Sequence, residues 1–149
     1  MQSLRDLQFD NTFARLLDLM RANQIDYTNL FRDLAGLRRD DSVGEALLRN
    51  RFADTAGFDA WVADYRARLR AERSDDGWRR TAMQAVNPRF VLRNYLVQQA
   101  IEQAEQGDYG EIDRLLALLS RPYSDQPGMQ AYASEPPDWG RHLEVSCSS

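Results

Sequence analysis

The tightest constraint in this chain is the stretch Ala85-Val86-Asn87-Pro88-Arg89-Phe90-Val91-Leu92-Arg93-Asn94-Tyr95-Leu96. Pro88 has no amide hydrogen, and its ring drives the preceding residue out of the α region. Asn87 therefore ends any helix arriving from upstream and offers its side-chain oxygen as a cap for the next. Pro88 then takes the first helical position, where a missing donor costs nothing. Neither Gly nor Pro follows until Gly107, a natural residue just past a helix end. The pattern predicts one long helix from Pro88 to about Gln106, with Asn87 as a one-residue corner. Leu92, Leu96 and Ala100 form one apolar row, and Phe90, Val97, Ile101 and Ala104 form another. So wide a face predicts a central helix packed on several neighbours.

The remaining sequence follows the same period. Leu4 and Leu7 are compatible with one turn. Asp10 is a candidate cap for a helix bearing Phe13, Leu16, Leu17 and Met20, and Asp26 for one bearing Tyr27, Leu30, Phe31 and Leu34, stopped near Gly36. Arg38-Arg39-Asp40-Asp41 reads as a polar linker. Ser42 and Glu45 have capping-box spacing ahead of Leu47, Leu48 and Phe52. The cleanest stripe is Phe58, Trp61, Val62, Tyr65 and Leu69. Ser74-Asp75-Asp76-Gly77 supplies a cap and an acidic first turn for Trp78, Ala82, Ala85 and Val86. Asp108 with Glu111 opens a last helix, striped by Ile112, Leu115, Leu116 and Leu119 and closed by Pro122. A short helical turn is expected near Met129 to Tyr132. No stretch alternates with β-branched residues, and no repeat is present. The expectation is an all-α fold: a single multi-helix domain of about seven helices over residues 1–121, then an irregular, Pro-containing docking tail over residues 122–149.

Composition removes several classes of function. At 149 residues the chain suffices for one domain with a real core. A net charge of −4 gives no overall pull toward nucleic acid or anionic lipid, and no apolar run approaches a membrane span. With no signal-peptide pattern, the expected address is cytoplasmic. All 19 basic residues are Arg, so nothing here can act as a Lys nucleophile or phosphate-binding Lys. The lone cysteine, Cys147, permits neither an internal disulfide nor a thiolate zinc cluster.

Few residues point to chemistry. Arg66, Arg68, Arg70, Arg73, Arg79 and Arg80 could form a phosphate-binding surface. The plainer reading is a solvated face partnered by Glu72, Asp75 and Asp76. Trp61, Tyr65, Trp78, Phe90 and Tyr95 could line a pocket, but their spacing favours core packing. The pairs Asp40-Asp41 and Asp75-Asp76 read as linker and cap rather than an acid/base dyad. His142 lacks recognisable metal co-ligands. In the tail, Pro136, Pro137 and Trp139, with Leu143 and Val145, are more apolar than a disordered tail normally is. Trp139 is expected to dock either on this domain's own helices or on a partner domain that places Cys147; the residues leave both open.

Taken together, the 85–96 stretch, Gln99-Ala100-Ile101-Glu102, Gly107-Asp108, Pro136-Pro137-Asp138-Trp139-Gly140 and Ser146-Cys147-Ser148-Ser149 closely resemble the C-terminal region of the selenoprotein O family. Phe58-Asp59-Ala60-Trp61 and Tyr65-Arg66-Ala67-Arg68-Leu69 fit as well. The resemblance implies a pseudokinase-like protein adenylyltransferase that uses ATP and a divalent metal such as Mg to transfer AMP to Ser, Thr or Tyr of protein substrates. It implies that the nucleotide and catalytic motifs lie in an N-terminal kinase-like domain. None of them is in this sequence, so no catalytic, cofactor-binding or metal residue is expected here. On this reading the chain is a C-terminal piece that buttresses that domain and alone is inactive. The resemblance also implies that Cys147 is a redox position, some members carrying selenocysteine there and bacterial-type members pairing the matching Cys with one in the kinase-like part. The alternative is a freestanding helical protein-interaction module without catalytic activity.

Overall fold

The computed structural model describes residues 4–144, with side chains from residue 11 onward. Seven α-helices and two 3-10 turns, with no strand, make up the regular structure among the described residues. The fold is all-α, as expected. By contact the chain gathers into two compact units that divide between residues 84 and 85, inside the last turn of the fifth helix.

In the first unit, α1 (Leu4–Ala22) runs without interruption through residue 10, so Asp10 does not begin a helix. Asp26 does cap α2 (Tyr27–Leu34): its carboxylate accepts the Asn29 amide hydrogen at 2.9 Å. The Ser42–Glu45 capping box does not form. Gly44, at φ 81°, is the cap residue of the short α3 (Glu45–Arg49), and Glu45 pairs with Arg66 at 2.6 Å instead. The left-handed turn at Gly44 also brings the backbone so close to Gly36 that an added Cβ would sit 2.6 Å from the Gly36 carbonyl oxygen. Asp54 caps α4 (Thr55–Ala71) through the Gly57 amide, and Asp75 caps α5 (Asp76–Val86) through the Trp78 amide.

The α4 stripe is the spine of this unit. Phe58, Trp61 and Val62 are buried with Leu16 and Met20 of α1, Leu30 and Leu34 of α2, and Leu37, Leu48 and Phe52. Each large side chain so removed from water contributes roughly 1.5–3 kcal/mol before its ordering cost. Trp61 stacks on Tyr65 at 5.0 Å and donates its indole N–H to the Thr12 carbonyl at 2.8 Å, so its one polar atom is satisfied. α5 behaves differently. Its buried residue is Arg79, while Trp78 is 73% exposed and Val86 70% exposed. The stripe expected there exists as a pattern but is not covered.

The second unit corrects the long-helix expectation. Residues 87–93 are irregular, and α6 spans only Asn94–Glu105. The cause is a distant acceptor: the amides of Arg89 and Phe90 both donate to the Pro122 carbonyl, at 2.7 and 3.1 Å. Phe90 is thereby buried with Leu118 and Ala133, and Leu92 is left exposed. After Gly107 the chain turns back into α7 (Gly110–Leu119), with the Gly110 amide held by Asp108. Of the stripe expected on α7, Leu115 is buried, whereas Ile112 and Leu116 are exposed; Leu118 is buried in addition. Turns at Gln130–Ala133 and Asp138–Gly140 punctuate the residues that follow. Tyr132 and Leu143 pack on Tyr95, Leu96, Ala100 and Leu115.

Candidate functional site

The basic residues of α4 and α5 form the first candidate. Residues 37–41 have no regular structure, so their carbonyls lack helical partners and need donors from elsewhere. Arginines supply them. Arg79 donates to the Leu37 carbonyl at 2.7 Å and Arg66 to the Arg38 carbonyl at 3.0 Å. Arg70 donates to the Arg39 carbonyl at 3.4 Å, and a second nitrogen of Arg66 reaches the Asp41 carbonyl. Arg39 returns the contact: its guanidinium donates to the Ser74 carbonyl at 3.1 Å and its amide to Asp76 at 3.0 Å. A planar fork with several fixed donors suits this task better than an ammonium would. Arg68 pairs with Glu72 at 2.7 Å, while Arg73 and Arg80 are exposed. The charges that looked like a phosphate surface are mostly spent on fastening a loop.

The acidic pairs belong to the same arrangement. Asp40 receives Arg39 at 2.7 Å and Arg70 at 3.1 Å, and these hydrogen bonds hold its carboxyl below the ordinary value of 3.8. Arg49 does the same to Asp59. Burial pushes Asp76 upward, but the bonds from the Arg79 guanidinium and the Arg39 amide outweigh it and the net shift is downward. Asp41 accepts the Val43 amide and Asp75 the Trp78 amide. These carboxylates are thus partnered by arginines and amides. Among the described residues no cluster of three His, Cys, Asp or Glu is placed to hold a metal ion. His142 is exposed.

The aromatic set divides. Trp61 and Tyr65 are stacked in the first core; Phe90 and Tyr95 are buried in the second unit, where burial pushes the Tyr95 phenol upward. Trp78 packs in neither.

The tail is the second candidate. Pro137 precedes the Asp138–Gly140 turn, whose closing bond runs from the Gly140 amide to the Pro137 carbonyl at 2.8 Å. That turn stands Trp139 edge-on to Tyr95, ring centres 6.0 Å apart at 90°, a favoured aromatic geometry. Gly140 is buried so close to Tyr95 that an added Cβ would lie 2.7 Å from the Tyr95 Cβ. The Asn94 side-chain amide donates to the Leu143 carbonyl at 2.8 Å, fixing the segment's far end. Behind it Glu111, 7% exposed, accepts from Arg114 at 2.5 Å and from the Tyr132 hydroxyl at 3.2 Å. Pro136 and Pro137 are half-buried, and Trp139 remains 56% exposed despite its contact with Tyr95. Val145 and Cys147 lie outside the described residues. Sequence reasoning missed the arginine-to-carbonyl bonds and the Glu111–Arg114–Tyr132 network. The i, i+3 spacing of Glu111 and Arg114 was the one local sign of the latter.

Comparison with known proteins yields consistent matches. A family model described as protein adenylyltransferase SelO matches residues 1–120. A protein nucleotidyltransferase YdiU of Pseudomonas entomophila is 56% identical over 137 residues, covering 91% of this chain and 27% of that protein. The counterpart of Stutzerimonas stutzeri is 53% identical over 135 residues, with the same coverages. That of Cupriavidus pinatubonensis is 49% identical over 144 residues, covering 97% of this chain and 28% of the relative. The chain therefore spans little more than a quarter of the length of these relatives.

Replacing Arg79 by Met removes the donors that hold Leu37, Ser74 and Asp76. Urea unfolding should show a loss of about 2–4 kcal/mol, whereas Arg80→Met should stay within about 0.5 kcal/mol of the parent chain. The shifted carboxylates set a sign for acid. Their folded values lie below the unfolded one, so their contribution is complete above about pH 4 and fades as pH falls through the folded values. The urea midpoint should therefore drop as pH is taken below about 4. Asp40→Asn, Asp59→Asn and Asp76→Asn combined should flatten that drop.

Proposed function

The chain belongs to the protein adenylyltransferase SelO family, and we propose that it is the C-terminal helical part of such an enzyme, supporting a kinase-like catalytic domain and itself catalysing nothing. The observation that carries this reading is the coverage. A match over 91% of this chain occupies 27% of the relative's length, so most of a working family member lies outside it. Two features support a supporting role. Most of the carboxylates and arginines that could have met a nucleotide are engaged with one another or with backbone carbonyls. Several large apolar side chains are exposed, as expected of a surface made to be covered.

In the proposal the parent transfers AMP from ATP, with Mg supplied at its own kinase-like site, to Ser, Thr or Tyr of protein substrates in the cytoplasm. The segment from residue 122 onward acts as a docking tail around Pro136, Pro137 and Trp139. Among the described residues no helix is long and apolar enough to cross a membrane. The resemblance of the Ser146-Cys147-Ser148-Ser149 ending further supports Cys147 as a redox latch. Its thiol and one on the kinase-like domain would join as a disulfide, passing two electrons and two protons to a cellular disulfide oxidant. A second reading, a freestanding helical interaction module, draws on the same exposed apolar side chains.

Calorimetric titration separates the chain from the machinery it serves. ATP with Mg should give no saturable heat with the 149-residue chain, and micromolar binding would overturn the proposal. Cys147→Ser should leave the chain's own unfolding midpoint unchanged while making the longer protein's activity insensitive to oxidant. Equal oxidant sensitivity of variant and parent removes the latch.

A further inference from the structure

The α6–α7 pair carries an apolar face that nothing in the second unit covers. On α7 the buried residues are Leu115 and Leu118, with Glu111 beside them. Leu116 lies about 100° around the helix from Leu115 and is 70% exposed. Tyr109, at the helix's N-terminal edge, is 60% exposed and Ile112 43% exposed, and 109, 112 and 116 fall on one side at i, i+3 and i+7. α6 repeats the arrangement: Ile101, one residue beyond buried Ala100, is 39% exposed. The two helices are in contact and joined by a short connection, as antiparallel neighbours are. In an antiparallel pair, equal angular offsets from the facing rows fall on the same side. Ile101 therefore extends the Tyr109, Ile112 and Leu116 row into one face.

The charge around this face narrows its occupant. Residues 94–119 hold five acidic residues and one Arg, a formal charge of −4, equal to that of the whole chain. Glu105 and Asp113 fall on the helix sides that border the apolar row. Such a rim repels phosphate-rich surfaces, which argues against nucleic acid and anionic membrane. A second copy would crowd two acidic rims around one apolar contact, which is unfavourable at that range. A surface with an apolar centre and a basic rim fits. The family match covers these residues, and nearly three quarters of each relative lies outside the matched region.

We propose that the face formed by Ile101, Tyr109, Ile112 and Leu116 is where the rest of the longer family protein packs, against an apolar patch rimmed with Arg or Lys. This rests on the reading of the chain as part of such an enzyme. The test uses the whole Pseudomonas entomophila relative with this chain grafted in place of its own matching segment, beside the 149-residue chain alone. Hydroxyl-radical footprinting, read by mass spectrometry, should label Tyr109 and Leu116 about fivefold less in the graft, as burial in an interface centre demands. Equal labelling in an active graft overturns the surface and leaves the parent reading standing. A graft that is unfolded or transfers no nucleotide overturns the parent reading, and this assignment with it. A free chain that sediments as a dimer, and as a monomer once Ile112→Glu and Leu116→Glu are introduced, gives the face to a second copy and overturns the assignment.

Discussion

The first unit depends on donation from guanidinium groups to backbone carbonyls. A segment such as 37–41, with its backbone out of any helix, is tolerable near a core only if its carbonyls find partners. Leu37 is itself in that core, so the segment cannot retreat into water. Arg79, Arg66 and Arg70 reach it from two different helices and hold α4, the loop and the start of α5 in one register. Arg79 is 7% exposed and bonded to Leu37, Ser74 and Asp76 at once. A buried cation of this kind is stable only where several acceptors meet it, as they meet the two terminal nitrogens here. The absence of lysine from the sequence is in keeping with these roles, since a fork can serve two carbonyls where an ammonium acts as a point charge.

The same economy explains why a chain rich in charge shows so little surface chemistry. Arg39 and Asp40 contact each other and also reach the α5 start and α4 respectively. Glu45, which could have capped its own helix, is drawn to Arg66. In the first unit Asp33, Asp40, Asp59 and Asp76 are each compensated by an arginine. Exposed pairs contribute little individually, but as a network they fix geometry. The effect is a scaffold whose polar groups face one another and whose uncovered surface is, in several places, apolar.

Local rules were readable, and long-range ones were not. Asp26 and Asp75 cap helices because a short side chain and a free amide lie three residues apart, a relation visible in sequence. Phe58, Trp61, Val62 and Leu69 are buried as their period required. The Pro88 helix was misjudged because Pro122, 34 residues away, takes the amides of Arg89 and Phe90; no local pattern announces that acceptor. Periodicity places Trp78, Leu92 and Leu116 on apolar rows because it reports which residues want cover, not whether this chain provides it. Of the candidate site, the arginine clamp was visible as composition only. The tail's apolar anchors were visible as residues, but not the edge-on contact of Trp139 with Tyr95.

That last failure carries information. A helix in a self-sufficient domain turns its apolar arc inward and its polar arc outward, so that arc and burial agree. On α7 they disagree: the apolar arc is wide, and only the side toward Leu115 and Leu118 is covered. The strap at Phe90 and the turn at Gln130–Ala133 take up that side, and the tail at Leu143 packs with Leu115. What they leave uncovered is continuous with what they cover. On the proposed reading, a sequence patterned for two layers of cover, folded in a chain that supplies one, is the structural counterpart of a match that fills this chain and little more than a quarter of its relatives.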